Sequence, residues 1–216
     1  MGNIIGIDYS INSGAFCNLS QDGIFIGSLY RSEDSLEKLM KRKDRSIAEL
    51  TIMKNAEFKL INKVQPKGEY HEVESQKIDS FIERSEMFFQ MIKPHIKEDT
   101  KIFMEGISFG STGSSLIDIS MSTALVRERL ISLIPSSSLY VFSPTSIKKF
   151  AGKGNFKKKD LYETILNVED KRLCDLLEIL SVNKLNWIKN SGDVISPWND
   201  LIDSVWIALF GENFLK

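Results

Sequence analysis

Ile4, Ile5 and Ile7 form a β-branched run that ends on a carboxylate, Asp8, and then breaks into the small-residue turn Tyr9 to Gly14. Such a run makes a strand buried on both faces, where an acid is costly unless a cation or a proton compensates it. Asp8 therefore needs a partner. Two readings stand open: Asp8 caps its own turn through the backbone, or it is a functional group whose partners come from elsewhere in the chain.

Strand-like runs at Ser13 to Leu19 and Ile24 to Tyr30 flank Asp22-Gly23, a strong hairpin signal, so the first three strands form an antiparallel meander. From Ser32 to Val64 the chain turns charged and helix-favouring, with a broken helical period at Leu36, Leu39, Met40, Ile47, Leu50 and Met53. Ile78, Phe81, Ile82, Ser85, Phe88, Phe89 and Ile92 trace an amphipathic helix ending before Pro94. Lys101 to Glu105 is a second short strand ending in an acid, followed by a Gly/Ser-rich loop and a helix over Leu116 to Ile134. Leu139 to Phe142 is a further buried-type strand, and Ser143-Pro144-Thr145 starts a short helix. A segment from Val168 to Asn190 carries a helical stretch, and a last helix is marked by Ser196 as N-cap, Pro197 at its first position and an apolar stripe from Leu201 to Phe210.

That last helix carries Asp200 and Asp203, about 60° apart around the axis and projecting toward one place. Acids at a helix start are favoured by the macrodipole, which accounts for Asp200 better than for Asp203. With Asp8 and Glu105 they make four acids, three of them on elements that otherwise look buried. Crowded carboxylates raise one another's pKa unless a divalent metal holds them ionised, and an all-oxygen set favours Mg²⁺ or Mn²⁺ over zinc. Two such ions roughly 4 Å apart can drive in-line hydrolysis of a phosphodiester.

With 216 residues, 42% hydrophobic and 26% charged, the chain has the composition of a soluble globular protein of one domain with insertions. It contains no membrane-length apolar window and no signal-peptide pattern, so the default location is cytoplasmic. Cys17 and Cys174, read as two buried thiols, and the unpaired His71 and His95 support neither a zinc site nor a disulfide framework. No Walker loop, dinucleotide fingerprint or GxSxG is present, which argues against a nucleotide cofactor and against nucleophilic hydrolysis. The net charge of -1 is uninformative, but Lys148, Lys149, Lys153, Lys157, Lys158 and Lys159 fall in a stretch without acids. That block is either a phosphate-contacting surface or a solvated helix start.

Taken in order, Gly6-Ile7-Asp8-x-Ser10-x-x-Ser13-Gly14, strand-Glu105 with its Phe/Gly/Ser loop, Ser143-Pro144-Thr145 with Lys148, Lys149, Gly152, Gly154, Lys157 and Lys158, and helix-Asp200-x-x-Asp203 resemble the RuvC-type Holliday junction resolvases, especially their divergent phage and poxvirus-like branch. The resemblance covers about half the chain. It implies a ribonuclease-H-like α/β fold, a mixed five-stranded central sheet with helices on both faces, as a single nuclease domain over 1–216 with helical insertions near 32–68 and 168–190. It further implies a homodimer that uses Mg²⁺, with two ions expected and Mn²⁺ able to substitute, to nick branched DNA at a four-way junction in the cytosol of a bacterium or a virus-infected cell. Carried over, Asp8, Glu105, Asp200 and Asp203 are the metal-binding and catalytic acids. Lys148, Lys149, Lys153, Lys157 and Lys158 are DNA-binding residues, Phe109 stands near the position of a junction-wedging aromatic with a core residue as the other reading, and Leu116 to Ile134 corresponds to the dimer helix. The alternatives are a broader branched-DNA or flap nuclease of the same fold, and a non-catalytic DNA-binding module; four acids at a phosphate-binding surface argue against the module.

Overall fold

A computed structural model describes residues 2–32, 34, 53–63, 65–107, 113–182 and 193–216. Its strands are β1 (Ile4–Tyr9), β2 (Ser13–Ser20), β3 (Gly23–Ser32), β4 (Ala56–Asn62), β5 (Lys101–Glu105) and β6 (Leu139–Phe142), in the sheet order β4-β3-β2-β1-β5-β6. The first three form the antiparallel meander, whereas β4 runs parallel to β3, β5 parallel to β1 and β6 parallel to β5. The helices are α1 (Tyr70–Ile92), α2 (Ser114–Ile131), α3 (Pro144–Ala151), α4 (Lys158–Ile165), α5 (Cys174–Val182) and α6 (Trp198–Phe214). No helix among the described residues is long and apolar enough to cross a membrane.

Among the described residues the sheet has six strands rather than five. The additional strand, β4, lies inside the stretch from Ser32 to Val64 that the sequence marks as helical. Helical period is carried there by residues before position 54; beyond it the pattern changes to alternation. Phe58 packs toward the core on one face of the sheet and Ile61 is buried in the core on the other, while Glu57 and Lys59 pair at 3.0 Å. Residues 35–52 lie outside the described residues.

Side-chain alternation splits the interior into two cores. Ile5 and Ile7 of β1, Phe16 of β2, and Ile102 and Met104 of β5 pack under α1 and α2, against Phe88, Met91, Ile92, Val126 and Leu130. Ile4, Ala15, Cys17, Leu19 and Phe103 point to the opposite face, which α6 covers with Leu201, Ile202, Val205 and Ala208. Helix α6 is buried almost all round, so it reads as an interior helix. It begins at Trp198; Ser196, expected as its N-cap, instead directs its hydroxyl to the Asn199 side-chain oxygen at 3.0 Å. Two further expectations change: Cys174 is exposed while Cys17 is buried, and Ile78 and Ile82 of α1 lie outside its buried face, at 41% and 43% exposure. In place of those isoleucines α1 buries Arg84, which donates to the Ser122 hydroxyl of α2 at 3.0 Å.

One ion-pair clamp ties the approach to α5 onto α6. The Arg172 guanidinium donates to Glu212 at 2.8 and 2.9 Å and to Asp170 at 2.6 Å. These hydrogen bonds hold both carboxyls below their ordinary values of 3.8 for Asp170 and 4.5 for Glu212. A depressed acid contributes stability that is complete above its unfolded pKa and is lost as pH falls through the folded one. Arg172→Met is therefore expected to cost about 2–3 kcal/mol at pH 7, less than a fully buried pair because the site is partly solvated. The gap should begin to shrink as pH falls below about 4 and close only once pH passes below the depressed carboxyl values. Urea unfolding across that range measures it, and a gap independent of pH would count against the clamp.

Candidate metal centre

Alternation along the strands decides where the acids point. Gly6 and Asp8 share a face with Ile4, and Glu105 shares a face with Phe103, so both acids emerge on the side covered by α6. In the parallel β1/β5 pair, Ile7 lies opposite Met104. Asp8 and Glu105 are the next residue on each strand. Helix α6 crosses this end of the sheet and brings down Asp200 and Asp203, which are 8% and 7% exposed.

Carboxylate oxygens of Asp8, Glu105 and Asp203 lie within 4.8 Å of one another. Burial pushes the Asp8 carboxyl up to about 8 against the pull of the Lys158 ammonium, with Asp200 and Glu105 adding to the rise. Glu105 is also raised by burial, opposed by Lys158 and Lys148. Free energy is thus stored in holding these acids together, and a bound cation would release it. One Asp203 oxygen, Oδ1, is buried without a hydrogen-bond partner. An orphaned carboxylate oxygen beside two further acids, all hard oxygen donors, fits a divalent ion such as Mg²⁺.

Asp200 is held differently. It accepts a hydrogen bond from the buried Ser13 hydroxyl, and its other oxygen stands 3.8 Å from Lys158 Nζ. Ser13 carries no mark of its own in the sequence; the signal is alternation, since Ser13, Ala15, Cys17 and Leu19 share the β2 face that α6 covers. Capping of the Tyr9 to Gly14 turn falls to Ser10, whose hydroxyl donates to the Ser13 carbonyl at 2.7 Å and accepts from the Ser13 amide at 3.1 Å. Asp8 is left facing the other acids.

The lysine block divides in two. Lys158 donates to Asp203 and lies 3.8 Å from Asp8, so its ammonium occupies the middle of the cluster. Lys148 is half-buried and acts electrostatically on Asp8 and Glu105. Lys149, Lys153, Lys157 and Lys159 are exposed. Phe109 lies outside the described residues.

A meander continued by parallel crossover strands is the strand order of a ribonuclease-H-like α/β fold. Solved structures similar to the chain include two of RuvC. Thermus thermophilus RuvC is 12% identical, with 99% of this chain and 95% of that chain covered and a TM-score of 0.47. T. thermophilus RuvC in complex with Holliday junction substrate is 10% identical, with 100% and 95% covered and a TM-score of 0.46. No protein-family model matches the chain. No curated protein matches it. Strand order and the acid cluster, rather than these distant likenesses, support what is proposed of the chain.

Proposed function

We propose that the chain is a Mg²⁺-dependent, structure-selective DNA endonuclease that resolves four-way junctions as a homodimer, built as one ribonuclease-H-like domain over residues 1–216. The observation that carries this reading is the convergence of Asp8, Glu105 and Asp203 within 4.8 Å. Asp8, Glu105 and Asp203 would hold the metal, with Asp200 completing or orienting a second site. Divalent ions held by these acids would supply water activation and charge stabilisation at the leaving oxygen for phosphodiester hydrolysis. Asp200 is pre-oriented by Ser13, which keeps its carboxylate from swinging away from the cluster. Lys148 and Lys158 stand where they can draw a phosphate toward the acids, and the exposed lysines extend that attraction along the backbone.

A second copy is the partner that the free faces of α1 and α2 suit. Ile78 and Ile82 of α1, with Ile117 and Met121 of α2, are 41–60% exposed on adjacent helices, each pair one turn apart. Burying them against the same surface of another protomer would give a symmetric dimer carrying two acid clusters.

The test is incubation with a labelled immobile four-way junction, a flap and plain duplex, with Mg²⁺ or EDTA. Paired symmetric nicks confined to the junction, abolished by EDTA, are expected. Cutting of every branched form would favour the broader flap nuclease, and no metal-dependent cutting of any form would overturn the enzyme reading.

A further inference from the structure

Beyond the acids, a groove of about 760 Å³ runs between α2 and the corner joining β6 to α3. Its volume is that of a small-ligand site, for which roughly 300–1,000 Å³ is usual. Val141, Phe142 and Pro144 make an apolar wall, and Arg127 and Lys148 supply positive charge. Gly106 and Ile107 line both this groove and the cleft that holds Asp8 and Glu105, so the two adjoin across a shared wall. Arg127 is half-buried, its Nε is buried without a hydrogen-bond partner, and no carboxylate among the described residues pairs with it. Burial lowers its pKa, which marks a cation short of compensating charge. An uncompensated guanidinium in a partly dry groove is a receptor for an anion of matching fork geometry, and phosphate is such an anion.

We propose that this groove seats one nucleotide of the cut strand, adjacent to the scissile phosphate, with its phosphodiester on Arg127 and Lys148 and its base against Val141, Phe142 and Pro144. The assignment rests on the nuclease reading above, because adjacency to the acid cleft is what favours a strand passing both over a free nucleotide. Arg127 is then a positioning residue: it fixes which phosphodiester meets the acids.

Anisotropy with a fluorescent four-way junction in EDTA tests this without requiring turnover. Arg127→Met should weaken binding about tenfold and make the salt dependence shallower by about one ion, whereas Arg127→Lys should keep most of both. A series of junctions with one abasic site moved stepwise along the cut strand should lower wild-type affinity at a single position beside the nick. That position should cease to matter in Arg127→Met. Should Arg127→Met fail to fold, as judged by its circular dichroism melt, Lys148→Met must show the same abasic signature. Wild-type affinity, salt slope and abasic profile in the variant would overturn the proposal while leaving junction cutting intact. Micromolar binding of dTMP alone would overturn it in favour of a free-nucleotide site. Arg127-dependent junction binding by a protein that never cuts would instead leave the groove standing and remove the nuclease reading.

Discussion

Asp8→Asn is expected to lower junction cleavage at least about 1,000-fold while leaving junction binding in EDTA unchanged. Metal-assisted displacement supplies several kcal/mol of barrier reduction, and each 1.4 kcal/mol is about tenfold in rate. Asp8 sits at the sheet end where Glu105 and Asp203 converge, so removing its charge takes away one carboxylate of the proposed metal site while the fold loses no volume. The metal-free protein should respond in the opposite sense. Burial pushes the Asp8 carboxyl up to about 8, so the folded state holds a proton that the unfolded chain releases at its ordinary value of 3.8. Stability therefore falls as pH rises between those two values. Asparagine has no proton to lose, so metal-free Asp8→Asn should melt several degrees above wild type at pH 8 and alongside it at pH 4. Saturating Mg²⁺ should raise the wild-type melting temperature at pH 8 by mass action and move the variant little. Cleavage within tenfold of wild type, or an equal Mg²⁺-dependent shift in both proteins, would remove Asp8 from the metal site.

The sequence marks the two acid-ending strands plainly, because a strand's period is local: Ile4 to Asp8 and Lys101 to Glu105 each announce burial followed by a carboxylate. It also puts Asp200 and Asp203 on one side of a helix, since spacing of three is a local property too. Their meeting with Asp8 is not local. It depends on the β1/β5 register, which brings residues almost a hundred positions apart side by side, and on which sheet face α6 covers. The β4 strand escaped because charged Glu57 and Lys59 alternate with the apolar residues and extend a charged stretch already read as helical. Lys158 could not be singled out among its neighbours, because alternation of exposure along the block is set by how α4 seats on α6, through contacts such as the Trp206 indole donating to the Leu161 carbonyl at 3.1 Å. Ser10 and Asp8 are both competent turn caps by composition, and the hydroxyl prevailed because the Asp8 side chain is directed through the sheet toward α6.

Gly6→Ala is expected to be the most damaging alanine substitution among the described glycines. A Cβ at Gly6 would stand 2.3 Å from the Ser204 carbonyl oxygen and 2.4 Å from the Ala208 amide nitrogen, both backbone atoms of α6. No rotamer change can relieve a clash with backbone, so the helix must move off β1 or the strand must bend. Overpacking a core costs about 1–3 kcal/mol when side chains can adjust. Here the loss should lie at or above the top of that range. Function should fall further than stability, because Asp203 immediately precedes Ser204 and travels with the displaced turn. A shift of about 1 Å at reacting groups can cost about 100-fold in rate, so the variant should lose cleavage and its Mg²⁺-dependent stabilisation even at temperatures where it remains folded. Gly113→Ala is the control: its φ of +67° disfavours alanine, but nothing among the described residues lies within 4 Å of the added Cβ. It should cost only about 1 kcal/mol, from the backbone alone, and leave the Mg²⁺ shift intact. If Gly6→Ala melted and cut like wild type, close seating of α6 on β1 could not be what brings Asp203 to Asp8; if both glycine variants behaved alike, backbone freedom rather than contact would explain Gly6.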